Sequence, residues 1–313
     1  MLNRRHIRIK ILHILYGFYQ DEESDSVKAK NSLDHSIKKM HELYLLLLNM
    51  VANLQGIAID KIETARKKHI PSEEDLHPNT KFVRNALLRV LANSKNLQRD
   101  SEELGVSWSK HQELLRNMFR GLIDNDEYKE YMASEERGFK HDKDSLVRMF
   151  RKNLINQESF QYMLEEESIF WLDDLDLASS MVIKTIKSIK EEDEEVDLLT
   201  VWREDDDDKD FMEGLFTQTL AQGTINEDLI KKAAQNWELE RIALTDRILM
   251  KMALAEAKSF PSIPLKVTLN EYIELSKYYS TDKSHGFING ILDQLFLKLV
   301  ENGDIVKTGR GLV

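Results

Sequence analysis

Apolar residues recur along most of this chain at the three- and four-residue spacing of an amphipathic helix. In the first segment, Ile7, Ile11, Leu15 and Phe18 fall on one stripe. Residues at this spacing share one face, because an α-helix has 3.6 residues per turn. The pattern predicts a first helix that packs by its aliphatic face and ends near Gln20.

The same spacing predicts helices along the rest of the chain, over 33–55, 79–94, 111–124, two within 144–190, 211–220, 227–235, 237–258 and 268–279, with one more after 280. Pro261 and Pro264 predict a turn, because proline cannot continue a helix interior. Thr268 with Glu271 has the spacing of a capping box, and Ser280 or Thr281 is expected to cap the last helix. No segment keeps a period of two, so the sequence predicts an all-α fold.

Composition excludes several classes of site. The 313 residues include no cysteine, and nine scattered histidines form no HExxH pair, so we expect no metal. Neither GxGxxG nor GxxxxGK[ST] occurs, so we expect no Rossmann nucleotide site, no P-loop and no cofactor. Nothing in the sequence points to paired catalytic carboxylates either, and we expect no enzyme. No apolar run approaches the length of a membrane span, and no secretory signal pattern is present. These observations predict a cytoplasmic protein without a membrane partner.

Charge is unevenly distributed in a chain of net charge −11. Residues 191–210 hold twelve acids and are expected to form a solvated linker. Residues 1–20 hold no acid but four cations, Arg4, Arg5, Arg8 and Lys10. We expect the arginines to face outward, and all four cations are candidates for contacts with RNA phosphates. A basic helix end that only aids solubility is the equal alternative on charge alone.

A second candidate RNA site is the segment 278–285, which combines tyrosine, hydroxyl, lysine and imidazole groups at a helix start. Single-stranded RNA is recognised by stacking on aromatic rings and by polar groups that meet base edges. We therefore predict RNA contacts from Lys283, Ser284 and His285, with Asn289 as a further candidate. The alternative is an ordinary capped turn, and Tyr279 stays undecided between base and core.

Three motifs in the last hundred residues resemble the NusB family. They are NWELERIALTDRILMKMALAEA from 236, IPLKVTLNEYIELSKYYS from 263 and SHGFINGILD from 284. The arginines of the first helix, followed by Leu15-Tyr16, also resemble that family's first helix. Two positions differ from the usual pattern, because Lys283 stands where an acid is common and Gly286 where a lysine is common.

The resemblance implies a NusB-like helical bundle formed by 1–20 and 207–300. The intervening residues 21–190 are then an inserted all-helical region, 191–206 an acidic linker and 301–313 a C-terminal tail. Within the bundle, Asp246 and Arg247 are candidates for protein contacts, and Glu256 is expected to be a structural acid.

The function implied is transcription antitermination on ribosomal RNA operons. The protein would bind boxA-type single-stranded RNA together with the ribosomal protein NusE and the elongation complex, and would recognise no DNA sequence. A helical scaffold with weak RNA binding is the alternative. An RNA methyltransferase is disfavoured, because no Rossmann pattern accompanies the helices.

Overall fold

The structure is a computed structural model that describes residues 2–21, 23, 25–202, 207–234 and 242–312. These residues form fifteen α-helices and no strand, so the all-α prediction is confirmed. In chain order the helices are α1 (Arg4–Gln20), α2 (Ser26–Arg66), α3 (Glu73–Leu76), α4 (Ala86–Asn93), α5 (Lys95–Leu104), α6 (Gln112–Ile123), α7 (Asp126–Ala133), α8 (Phe139–Lys152), α9 (Glu158–Glu167), α10 (Trp171–Ser188), α11 (Asp207–Ala221), α12 (Gly223–Ala233), α13 (Leu244–Ser259), α14 (Leu265–Tyr279) and α15 (Ser284–Glu301).

The chain divides into two compact units. Unit 1 comprises Met1–His35 and Val201–Val313, and unit 2 comprises Ser36–Thr200. The predicted division of 1–20 with 207–300, an insertion at 21–190 and a tail at 301–313 differs from these bounds by up to some fifteen residues and stays a prediction. Helix α2 begins in unit 1 and ends in unit 2.

Helix α13 is the central element of unit 1. It contacts α1, α11, α12, α14 and α15, and every residue from Ile248 to Ala257 is buried. The predicted start of this helix at Trp237 is wrong, since α13 begins at Leu244 and the two residues before it, Ile242 and Ala243, are not helical. Residues 235–241 lie outside the described part of the chain. Burial on all sides explains why the apolar pattern of α13 is nearly continuous rather than confined to one stripe.

Unit 2 has its own core around the part of α2 that follows His35. Two tryptophan indole N–H groups donate to α2 carbonyls, Trp108 to Leu46 O at 2.9 Å and Trp171 to Lys39 O at 2.8 Å. Both rings are buried, which satisfies their polar edge while their apolar surface packs. The expectation that this region is helical is confirmed.

One helix, α2, is long and apolar enough to cross a membrane by length and composition, contrary to the expectation from the sequence. However, 67% of its most apolar window is buried inside the protein. The core helix of a soluble protein passes the same test, so this feature is weak evidence for a membrane span.

Part of the acidic segment 191–206 is packed, which its interpretation as a solvated linker did not predict. Glu195 accepts hydrogen bonds from the Ser94 hydroxyl at 3.0 Å and the Asn96 backbone N–H at 3.2 Å, at the start of α5. The neighbouring Val196 is fully buried. A carboxylate is favoured at a helix N-terminus, because the first backbone N–H groups have no partner within the helix. Residues 203–206 of this segment lie outside the described part of the chain.

Two predicted helix caps are wrong. Helix α14 begins at Leu265, after Pro264, so Thr268 and Glu271 lie inside the helix and form no capping box. Helix α15 begins at Ser284, and its N-cap residue Lys283 makes no side-chain cap bond. In both cases the hydroxyls bond instead to acids from other parts of unit 1, which local spacing does not reveal.

Candidate RNA interface

Arg8 lies inside unit 1, against the expectation that it faces outward. Its side chain is 3% exposed and forms a two-point ion pair with Glu256, with Nε–Oε2 and Nη2–Oε1 distances of 2.7 Å each. Burial alone would lower the pKa of Arg8, but the hydrogen bonds and charge of Glu256 raise it overall. Arg8 is therefore a permanently charged structural group rather than a phosphate contact.

Glu256 is the fully buried centre of this network, as expected for a structural acid. Its two carboxylate oxygens accept the two bonds from Arg8, one from the Thr268 hydroxyl at 2.8 Å and one from the Tyr272 hydroxyl at 3.0 Å. Buried charges need such pairing, because their desolvation is otherwise very costly. The network fixes α1 against α13 and α14.

Lys10 is also buried, with 6% of its surface exposed, and its predicted RNA contact conflicts with this position. Arg4 and Arg5 are the cations of α1 that reach solvent. Arg5 donates to Glu271 from Nε at 2.9 Å and from Nη2 at 2.7 Å. The Arg5 bonds lower the pKa of Glu271 and are also the main cause that raises the pKa of Arg5. Arg4 lies 3.5 Å from the Asp208 carboxylate.

The turn between α14 and α15 is held from beneath by a buried acid. Asp246, 5% exposed, accepts hydrogen bonds from the Ser280 and Ser284 hydroxyls, the latter at 2.7 Å. The Ser284 side chain is itself 3% exposed, so its predicted RNA contact conflicts with this inward position. Lys283 and His285, on either side of Ser284, are exposed.

Asp246 is consequently not a surface residue, and its predicted contact with a protein partner conflicts with its burial. Arg247 is partly exposed, and its Nη1 lies 3.5 Å from Glu227. Glu227 also pairs with Lys251, whose ammonium group lies 4.6 Å from the Tyr19 ring centre. Arg247 therefore remains available at the surface but is anchored to α12.

The exposed arginines and the α14–α15 turn lie along one pair of helices. Arg5 contacts Glu271, and His13 packs edge-on against Tyr279 with ring centres 5.1 Å apart. Both contacts join residues separated by the same sequence offset, so α1 and α14 run parallel. Eight helical residues span about 12 Å. The two predicted RNA contact groups therefore lie about 12 Å apart along this helix pair.

Two further residues flank the turn. Asn289 on α15 is half-buried, and Tyr278 on α14 is 80% exposed. An exposed tyrosine ring can stack on a base, and Tyr278 is the first residue of the predicted RNA segment 278–285. Among the described residues, no group of three or more histidines, aspartates and glutamates is arranged to hold a metal ion.

The motifs carried by this site agree with comparisons to known proteins. The family model described as NusB family matches residues 171–296, which includes α10 to most of α15 but not α1. A transcription antitermination protein NusB of Salinibacter ruber is 44% identical over 110 residues, which cover 35% of this chain and 69% of the relative. The chain belongs to the NusB family.

Two other NusB-named antitermination proteins match over shorter shares. The relative from Chloroherpeton thalassium is 43% identical over 34% of this chain and 50% of its own length. The relative from Natranaerobius thermophilus is 36% identical over 27% of this chain and 61% of its own length. No solved structure matches the chain. Proteins of the NusB family are transcription antitermination factors and not enzymes.

Proposed function

We propose that this protein binds boxA-type RNA together with NusE and thereby promotes transcription of ribosomal RNA operons in the cytoplasm. The observation that carries the proposal is the exposed pair Lys283 and His285, held over a buried clamp of Asp246 and two serine hydroxyls. Side chains on a fixed turn lose little conformational freedom when they bind. Base edges within their reach would supply the sequence preference.

The arginine end of α1 supplies the charge for backbone contacts. Arg5 uses Nε and Nη2 for Glu271, and its remaining guanidinium donor group, Nη1, is open to a phosphate. Arg4 is the second exposed cation at this end. Phosphate contacts carry no sequence information, so these residues would add affinity for any RNA.

The test compares a boxA-like RNA with a scrambled RNA of equal length, by fluorescence anisotropy. Lys283→Ala and His285→Ala should each weaken the boxA-like complex by about 1–3 kcal/mol, borrowing the scale of base contacts, and the scrambled complex by less. Arg5→Ala should weaken both complexes equally. Lys298→Ala, an exposed lysine on the same helix as His285, is the matched control and should change neither.

If every variant lost the same affinity for both RNAs, the turn would not be a site of sequence-specific recognition. Sequence preference would then come from a partner, and the protein would act as a scaffold with general RNA affinity.

The partner is tested by adding NusE to the same titration. NusE should increase the affinity for the boxA-like RNA, and Arg247→Ala should reduce that increase while leaving RNA binding in its absence unchanged. The residue is a suitable probe because it is partly exposed and takes no part in the hydrogen bonds of the turn clamp. An increase that is the same for Arg247→Ala and the unaltered protein would remove Arg247 from the interface.

A further inference from the structure

A groove of about 670 Å³ in unit 2 is lined by residues from α2, the short α3 segment and α6. Five cations and three carboxylates surround it, in a chain whose net charge is −11. The cations come from parts of the chain that are distant in sequence: Lys61 lies on α2, Lys67 and Lys68 lie on the turn after it, and Arg116 and Arg120 lie on α6. The fold therefore concentrates positive charge that the sequence disperses.

Two of the three carboxylates are already neutralised by cations near them. Glu63 lies 3.7 Å from the Lys67 ammonium group, one helical turn away. Asp75 accepts hydrogen bonds from Lys68 at 2.9 Å and from the Ser72 backbone N–H at 2.9 Å. The Ser72 backbone bond, then the Lys68 bond, lowers the pKa of Asp75, so it stays ionised and paired.

The other three cations are exposed and line the groove together with the remaining carboxylate, Asp60. Lys61 and Arg116 make no ion pair or side-chain hydrogen bond within the described part of the chain. Arg120 donates from Nη1 to the Asn117 side chain at 2.9 Å, which leaves its other N–H groups open. Arg116 and Arg120 are one turn apart, so they lie side by side on α6.

We propose that this groove binds the phosphates of an RNA strand that extends beyond the boxA-type segment, at a second site outside the family motifs. Planar guanidinium groups match the geometry of phosphate oxygens, and converging like charges attract a polyanion. Phe119 lines the groove but is 2% exposed, so it offers no ring for a base. The site therefore adds affinity without sequence preference. The choice of RNA as the polymer rests on the proposed function.

The experiment uses the full chain and two RNAs, a short boxA-like RNA and the same RNA extended by a uridine tract. The test variant combines Lys61→Ala, Arg116→Ala and Arg120→Ala. The control variant combines Arg89→Ala, Lys140→Ala and Arg151→Ala, which removes the same charge from exposed positions of unit 2. All six residues are exposed, and circular dichroism should show an unchanged helix content for both variants.

The unaltered protein should bind the extended RNA more tightly than the short one, and the groove variant should lose that gain. For single strands, log K falls with log salt by about 0.7 per neutralised phosphate. The salt slope for the extended RNA should therefore flatten by about 2 in the groove variant. The control variant and the short RNA should show no such change.

Three results would overturn the proposal. The first is an extended RNA that gains no affinity for the unaltered protein. The second is an equal loss of affinity for the extended RNA in the groove and control variants, which would reflect the change in net charge alone. The third is a polyglutamate peptide that binds through the groove while the uridine tract does not. Failure of the proposed function has a different signature, because the short boxA-like RNA would then bind no better than its scrambled version.

Discussion

Replacing Glu256 by glutamine should destabilise unit 1 far more than the loss of one charge at the surface would. Each carboxylate oxygen accepts one bond from Arg8 and one from a hydroxyl, Thr268 or Tyr272. A glutamine NH₂ group must replace one of the two oxygens, and in either orientation it faces an Arg8 N–H. The hydroxyls can reverse their bonds, but the guanidinium has no acceptor.

The expected magnitude follows from the burial of the pair. Arg8 is 3% exposed and Glu256 is fully buried. The substitution removes the two-point partner of this buried cation and leaves only the longer contact of Arg8 Nη1 with Glu271, at 3.5 Å. Breaking a buried ion pair in this way costs about 3–5 kcal/mol. Glu271→Gln, at a pair that reaches solvent, should cost about 0–1 kcal/mol. The double change Arg8→Met with Glu256→Leu removes both charges and should recover part of the stability, since the Thr268 and Tyr272 hydroxyls still lose their acceptor.

Hydrogen exchange followed by mass spectrometry measures this effect within unit 1. A chain with two compact units is not expected to unfold in a single step, so a local measurement is preferable to one global midpoint. Amides of α13 should exchange at least about 100-fold faster in Glu256→Gln, since each 1.4 kcal/mol is tenfold. A change below about tenfold, or a double variant no better than the single one, would refute the argument from an uncompensated buried charge.

Three further predictions concern the turn, pH and a glycine. Asp246→Ala should speed hydrogen exchange at the amides of 280–286 because two hydroxyls lose their acceptor, and unchanged exchange would exclude the clamp. The Arg5 bond lowers the pKa of Glu271 from its ordinary 4.5, so the pair stabilises unit 1 above that pH and its contribution is lost as pH falls through the lowered value. In Arg5→Ala, the free energy of unfolding measured in urea should no longer show this loss as pH falls. An unchanged pH dependence would contradict the assignment. Gly105→Ala should cost about 1–2 kcal/mol, measured as a lower urea midpoint, because Gly105 ends α5 at φ 68°.

The sequence by itself determined the helical class, the extent of the first helix and the family. The sequence pattern predicted that the first helix ends near Gln20, and α1 ends at Gln20 in the structure. The prolines marked the turn before α14 correctly. These features depend on a few neighbouring residues, and backbone geometry and proline chemistry act over such short distances. The three motifs identified the family because they recur in fixed order.

Only the tertiary structure decided which polar residues lie inside. Arg8 and Lys10 belong to a basic cluster whose sequence pattern suggested exposure, yet both are buried. Arg8 is buried because the fold brings it next to Glu256, which is 248 residues away in sequence. Ser284 points inward because Asp246 lies beneath it and accepts its hydrogen bond. A charged or hydroxyl group enters a core when the fold brings it a partner that offsets desolvation. That partner is defined by three-dimensional proximity, which local spacing along the chain does not encode.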